Sequence, residues 1–324
     1  MRVEALTFFR FVAAMIVVIF HFGPESSLAS LAPGFLTAGS QMVSFFFVLS
    51  GFVLVLAYAE RWKRCPKPWR FWQARVARIV PIYLLAFFLS LALFQDQPLT
   101  DARAVLLDLL FLQAWFPPYP LAVNGPAWSL SVEAFFYLIF PLCLWIVTRG
   151  APRPARLMVG ALTAWLFAQS VLANLLQPGF YAGFPSVSFD LIHYLPLTHL
   201  PSFGLGVAGG YWTVYHRDRV PTRPLPSLLL ILVSGGAIVL ALNLKDAYAS
   251  LSGFSAPLHA GFFAPLFLAL ILAVAIADPR ATRWLVARPL VLLGEASYGI
   301  YILQTPIGVD SVCALPCVGS DRTR

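Results

Sequence analysis

The chain is predicted to fold as an all-α, polytopic bundle of transmembrane helices, on three observations. Its 324 residues are 60% hydrophobic and only 11% charged, with a mean hydropathy of +0.80, far from the soluble average of about 25% charged. Apolar runs long enough to cross the ~30 Å of bilayer hydrocarbon recur along the chain. Seven of its 22 Lys and Arg residues crowd into the stretch Arg61 to Arg78, between two such runs, Phe35 to Ala59 and Ile79 to Phe94.

Hydropathy and helix breakers give nine spans. They are Ala5 to Phe22, Phe35 to Tyr58, Ile79 to Phe94, Trp128 to Val147, Leu157 to Leu176, Leu195 to Tyr215, Leu228 to Leu244, Ala260 to Ala277 and Leu290 to Ile307. The first is read as a permanent span rather than a cleaved signal, because Arg10 and His21 interrupt it and no A-x-A site follows. Ala104 to Trp115 is short and carries Asp108, which predicts an interfacial or re-entrant helix. Placing the Arg61 to Arg78 stretch in the cytoplasm puts the N-terminus there too. Of the Lys and Arg outside spans, 17 then face the cytoplasm and four, Arg103, Lys245, Arg322 and Arg324, face outward, as the positive-inside rule requires. Gln95 to Ala127 becomes the longest external segment. There is no internal repeat of the kind that builds the inverted halves of a transporter.

The formal charge of +8 does not signal nucleic acid, because the basic residues lie between apolar spans rather than on a polar face. Cys65, Cys143, Cys313 and Cys317 lack the spacing and His partners of a zinc site, so no metal is expected. If the last two face outward they can form a disulfide.

Ionisable side chains inside a span cost at least ~2.5 kcal/mol on insertion scales, which makes them functional candidates. Arg10 and His21 are eleven residues apart, so they share a helix face about 16 Å apart along the axis. The structural alternative is that Arg10 snorkels to the inner interface while His21 sits in the outer one. Glu133 lies about 7 Å below Trp128 if the helix starts there, a depth comparable to His21. A carboxylate holding one imidazole nitrogen would fix the tautomer and stabilise the cation formed when the other nitrogen takes a proton; a plain hydrogen bond between spans is the alternative. Arg75 and Arg78 are three apart and share a face if the third helix begins before the membrane. Two guanidiniums there suit a phosphorylated ligand, whereas Lys63, Arg64 and Lys67 read as topology and lipid contacts. Ser50 and Gly51 permit close backbone approach in an otherwise bulky helix. No G-x-S-x-G elbow surrounds Ser50.

Six pieces occur in order along the chain: Arg10 and His21 with ten residues between them; FFFVLSGF at Phe45 to Phe52; RVARIVP at Arg75 to Pro81; NGPAWSLSVE at Asn124 to Glu133; HLPSFGLGVAGG at His199 to Gly210; and LLGEASYGIYIL at Leu292 to Leu303. Together they resemble the membrane-bound acyltransferase-3 family, the O-acyltransferases that decorate bacterial surface glycans. The resemblance implies about ten spans in the bacterial inner membrane. It also implies an acyl-CoA donor, expected to be acetyl-CoA and not tightly bound, and a hydroxyl of a polysaccharide, lipopolysaccharide or other glycolipid as acceptor. His21 and Glu133 are then the expected catalytic residues, and Arg10, Arg75 and Arg78 the donor's phosphate contacts. Asn124, Trp128, Ser131 and Tyr298, which lie in the matching motifs, are the expected substrate contacts. The chain departs from the pattern where Thr7 and Ser44 stand for a common Asp and Gln304 for a common His. Residues 1–307 are expected to form the membrane domain, and the atypical 308–324 reads as a truncated or frameshifted end. The competing readings are a transporter with an intramembrane proton relay, or an inactive remnant.

Overall fold

The computed structural model describes residues 3–23, 34, 36, 38–93, 101–149, 153–216, 223–245, 247 and 256–313, with side chains as far as Ile307. Cys317 and the rest of the tail from residue 314, with the Cys313 side chain, lie outside the described residues, as do Phe94 and residues 95–100 of the long external segment. All regular structure among the described residues is helical: α1 (Val3–Phe22), α2 (Gly39–Arg64), α3 (Pro68–Leu93), α4 (Ala102–Leu109), α5 (Trp128–Arg149), α6 (Pro154–Leu175), α7 (Val187–His193), α8 (Pro196–His216), α9 (Pro224–Asn243), α10 (Ala264–Ala275) and α11 (Arg288–Cys313). Six of them, α1, α2, α3, α5, α6 and α9, are long and apolar enough to cross a membrane. The other three expected spans correspond to α8, α10 and α11. Of these, α10 is only 12 residues long, and α8 carries the glycines, His199 and Ser202 that suit contact with protein more than with lipid.

The basic stretch between the second and third spans is itself helical. α2 runs through to Arg64 and α3 starts at Pro68, so only Cys65 to Lys67 connect them. Pro68 opens α3 at a position where its missing N–H is not needed. The third helix therefore begins eleven residues earlier than hydropathy places it, because polar residues end an apolar window without ending a helix. Arg75 and Arg78 consequently stand on the same helix, three residues apart.

α2 is the most buried of the six long helices and organises the bundle. Its most extensive partner is α8, with α1, α5 and α10 also packed against it. Lipid supplies no hydrophobic drive between helices, so close packing must hold them together. Glycines permit that here: a Cβ at Gly206 would lie 2.0 Å from the Val48 carbonyl oxygen, and one at Gly51 would lie 2.3 Å from that of Phe203. Between the close approaches, Phe47, Phe136, Phe140 and Phe203 fill one core, with Phe136 and Phe203 stacked at 4.5 Å. Phe45, Phe52, Phe267 and Ile271 fill another.

The segment ahead of α5 turns inward rather than lying on the surface. Asp101 caps α4 by accepting from the Ala104 amide at 2.8 Å, satisfying one of the helix's orphan donors. At the other end of this short helix, Asp108 is 1% exposed. The Tyr83 hydroxyl donates to the Asp108 carbonyl at 2.8 Å, with Oδ1 at 3.2 Å, while Oδ2 is buried without a partner. Burial raises the Asp108 carboxyl from 3.8 to about 7, against a smaller opposing pull from the Tyr83 hydroxyl. A folded-state pKa above the unfolded value means the native state binds the extra proton. Stability should therefore be highest below pH 4 as far as this group is concerned, and fall as pH rises toward 7, by at most about 4 kcal/mol. Asp108→Asn is expected to flatten that dependence, read as thermal unfolding in detergent at pH 4.5 and 7.5; an unchanged slope would show that the carboxyl titrates normally.

Candidate active site

A cavity of about 850 Å³, its open mouth included, lies between α1, α2, α3, α5 and α11. Arg10, Arg75, Arg78, Glu133 and Tyr298 all line it, together with Ser50, Tyr137, Ser129 and Tyr301. The helices bring these together by simple registers. Arg75 and Arg78 come from one turn of α3, and Ser50 from the middle of α2. Glu133 and Tyr137 are four apart on α5, so they project from one face.

Three guanidiniums meet one carboxylate here. The Glu133 carboxylate is occupied by hydroxyls: Ser50 donates to Oε1 at 3.3 Å and Tyr137 donates to the same oxygen. Among the described residues the only ion pair is Lys63 with Glu60, so Glu133 does not neutralise an arginine by direct contact. The Arg10 and Arg75 Nε atoms are buried without a hydrogen-bond partner. Arg75 is held instead by aromatic faces, its guanidinium carbon 5.8 Å from the Tyr58 ring and 5.9 Å from those of Phe71 and Tyr137, and Nη2 reaches the Tyr58 hydroxyl at 3.4 Å. Such a cage fixes the guanidinium by cation–π attraction while leaving its donors available. The excess of positive charge suits an anion with several oxygens.

Away from the arginines the lining becomes apolar, through Val53, Leu49, Phe46 and Val43. Val43 and Leu54 both face the cavity and are eleven residues apart on α2, which extends it about 16 Å along that helix.

His21 lies elsewhere. It sits exposed at the far end of α1 and does not line this cavity, and the structure does not bring it to Glu133. Sequence spacing put the two at one depth by counting from Trp128 as the point of membrane entry. In the structure Val123, Asn124, Pro126 and Ala127 are already buried before α5 starts, and five residues of helix then carry Glu133 to the cavity that Arg10 lines. The orienting role expected of Glu133 is filled by the backbone. His21 Nδ1 is 2.9 Å from the Val17 carbonyl. A carbonyl only accepts, so Nδ1 carries the proton and Nε2 is left as the basic nitrogen. Gln304, which stands where relatives commonly have a His, donates from Nε2 to the Tyr301 carbonyl at 2.8 Å, and its Oε1 is buried without a partner.

Of the four expected substrate contacts only Tyr298 lines the cavity, with its hydroxyl donating to the Ile79 carbonyl at 3.0 Å. Asn124 instead donates to the Ile302 carbonyl at 3.0 Å, and Ser131 to the Phe111 carbonyl at 2.6 Å. Trp128 packs on Tyr194 and His199, with ring centroids at 5.0 and 5.3 Å. These three bind the inward-turning segment to the bundle. Asn124→Ala, which leaves a buried carbonyl unpaired, should destabilise by about 1–3 kcal/mol without altering donor saturation; a change in donor saturation would return Asn124 to the site. Tyr137 was not singled out by sequence, although its i+4 relation to Glu133 was the available signal.

The acyltransferase-3 family model, an acyltransferase domain, matches residues 3–309. The chain belongs to the acyltransferase-3 family. Among similar proteins, the acyltransferase MdmB of Streptomyces mycarofaciens is 36% identical over 154 residues, 44% of this chain and 39% of that protein. The exopolysaccharide production protein ExoZ of Rhizobium meliloti is 29% identical over 83% of this chain and 76% of its own length. The O-acetyltransferase OatA of Staphylococcus aureus is 23% identical over 92% of this chain, which spans 49% of OatA. No solved structure matches. For a member of this family the cavity and the exposed histidine are the two places where donor and acceptor chemistry can be sought.

Proposed function

We propose that the protein is an integral-membrane O-acyltransferase that moves an acyl group, acetyl in the first instance, from cytoplasmic acyl-CoA to a hydroxyl of a cell-surface carbohydrate or glycolipid. The observation that carries this reading is the convergence of Arg10, Arg75 and Arg78 on one cavity whose far part is apolar. Coenzyme A has a diphosphate and a 3′-phosphate at one end and a thioester at the other, joined by a slender arm. The guanidiniums would hold the phosphates in pairs of N–H donors, and the arm would follow α2 toward the end of the bundle where His21 stands. His21 Nε2 takes the proton of the acceptor hydroxyl as its oxygen attacks the thioester carbonyl. The C–S bond then breaks, and the imidazolium returns the proton to the departing thiolate. Glu133, held by Ser50 and Tyr137, sets one negative charge against three guanidiniums, so the cluster keeps a net pull on an anion.

The topology that goes with this is nine spans in a bacterial inner membrane, with the N-terminus and the α2–α3 connection in the cytoplasm; the 17-to-four distribution of Lys and Arg supports it. The direct test is transfer of labelled acetyl from acetyl-CoA to a surface-glycan fraction in membranes containing the protein. Arg75→Ala and Arg78→Ala are each expected to raise the half-saturating acetyl-CoA concentration about 10-fold or more with little change in kcat, as for a lost charge-assisted phosphate contact. Unchanged donor saturation in both would move the donor out of this cavity.

A further inference from the structure

At the His21 end of the bundle, α7 and the loop before it form a surface of a different kind. Phe189 and His193 are stacked at 3.9 Å with an interplanar angle of 15°. Tyr181 lies 6.1 Å from His193, and Phe184, 65% exposed, lies 5.1 Å from Phe189. A row of aromatic rings at the end of a membrane bundle is by itself the ordinary interfacial belt. Asp190 sets this one apart. It is 8% exposed and stands three residues before His193 on the same short helix, yet its carboxylate accepts no hydrogen bond among the described residues, and desolvation raises it to about 6. A carboxylate that is partly desolvated and has no donor from the protein is ready to accept from a ligand, and a belt facing lipid has no use for one.

The surface is continuous with the catalytic end of α1. The His193 ring is 5.2 Å from that of His259, and His259 Nδ1 is 2.7 Å from Ser40 Oγ. The neighbour of Ser40, Gly39, packs so closely on α1 that a Cβ there would lie 2.3 Å from Phe20 Cβ, one residue before His21. Sugars present alternating faces of C–H and hydroxyl groups. Their C–H faces lie against aromatic rings, and their hydroxyls donate to carboxylates and bond to imidazoles.

We propose that the Tyr181, Phe184, Phe189 and His193 rings with the Asp190 carboxylate form the docking site for the carbohydrate acceptor, holding a sugar residue next to the one whose hydroxyl meets His21. This rests on the O-acylation reading above and names the acceptor side of it. Asp190 would accept from ring hydroxyls, Phe184 would cover the C–H face, and His259 with Ser40 would border the path to His21.

The test uses the intact protein in membranes, labelled acetyl-CoA, and the expressing cell's own surface-glycan fraction freed of O-acetyl groups by mild alkali. Asp190→Asn, which keeps the shape of the side chain, and Phe184→Ala, at an exposed position, are each expected to raise the half-saturating glycan concentration about 10-fold while the half-saturating acetyl-CoA concentration stays at the wild-type value. Wild-type glycan saturation in both variants would overturn the docking site, and so would equal shifts for donor and glycan, which would mark a general structural defect. No transfer by the wild-type protein at all would instead overturn the O-acylation reading, which separates the two failures.

Discussion

Replacing His21 by alanine is expected to lower acetyl transfer to the glycan fraction by about 10²–10⁴-fold, the range that a positioned general base supplies, with the protein still inserted and folded. The side chain is exposed at the end of α1 and fills no core, so its removal leaves the packing of the bundle as it is. The Val17 carbonyl commits Nδ1 to donating, at 2.9 Å, and this makes Nε2 the acceptor for the sugar proton without help from a carboxylate. Glu133→Gln should therefore act differently from His21→Ala: it should change donor saturation through the arginine cluster more than the maximal rate. Label that reaches the glycan independently of His21 would remove the catalytic assignment. Movement of unmodified substrate across the membrane would favour transport instead.

The second large effect concerns the fold. Gly206→Val should destabilise the protein by at least about 3 kcal/mol, at the upper end of ordinary overpacking, and lower the Tm in detergent by roughly 10 °C. A Cβ at Gly206 would lie 2.0 Å from the Val48 carbonyl oxygen and 3.0 Å from the Phe52 amide nitrogen. Neither is a flexible side-chain tip that can swing away, so α8 must move bodily from α2. α2 carries Ser50 and the apolar wall of the cavity, which means the same substitution should also weaken donor binding. Gly204→Ala is the control on the same helix, because a Cβ there meets nothing within 4 Å, and it should be neutral or slightly stabilising through helix propensity. Equal losses in the two variants would show that glycine acts there through the helix itself and not through the α2–α8 contact.

Much of the site was legible from local pattern. Arg10 and His21 were marked by being charged or titratable in an apolar run, and Arg75 and Arg78 by their spacing of three. The structure adds that all three arginines reach one cavity. Asn124, Trp128 and Ser131 show the limit of motif reasoning: a matching stretch can be a structural clasp, and here it ties the inward-turning segment to α5 and α11. The pairing of His21 with Glu133 failed for a similar reason. Depth was counted from Trp128 as if α5 began at the membrane surface, whereas Val123, Asn124 and Ala127 are already buried ahead of it.

By itself the sequence determined the class of the protein, the long apolar helices, the likeness to acyltransferase-3 and the side chains able to carry charge into the bundle. All of these follow from composition and from periodicities a few residues long. Only the tertiary structure decided that Glu133 belongs with the arginines and Ser50, that a backbone carbonyl orients His21, and that Asp190 is buried without a hydrogen-bond donor among the described residues. Those are matters of helix stagger and of lateral neighbours distant in the chain. They depend on how closely glycines let α2 and α8 approach and on where each helix begins, and hydropathy along a single chain carries no measure of either.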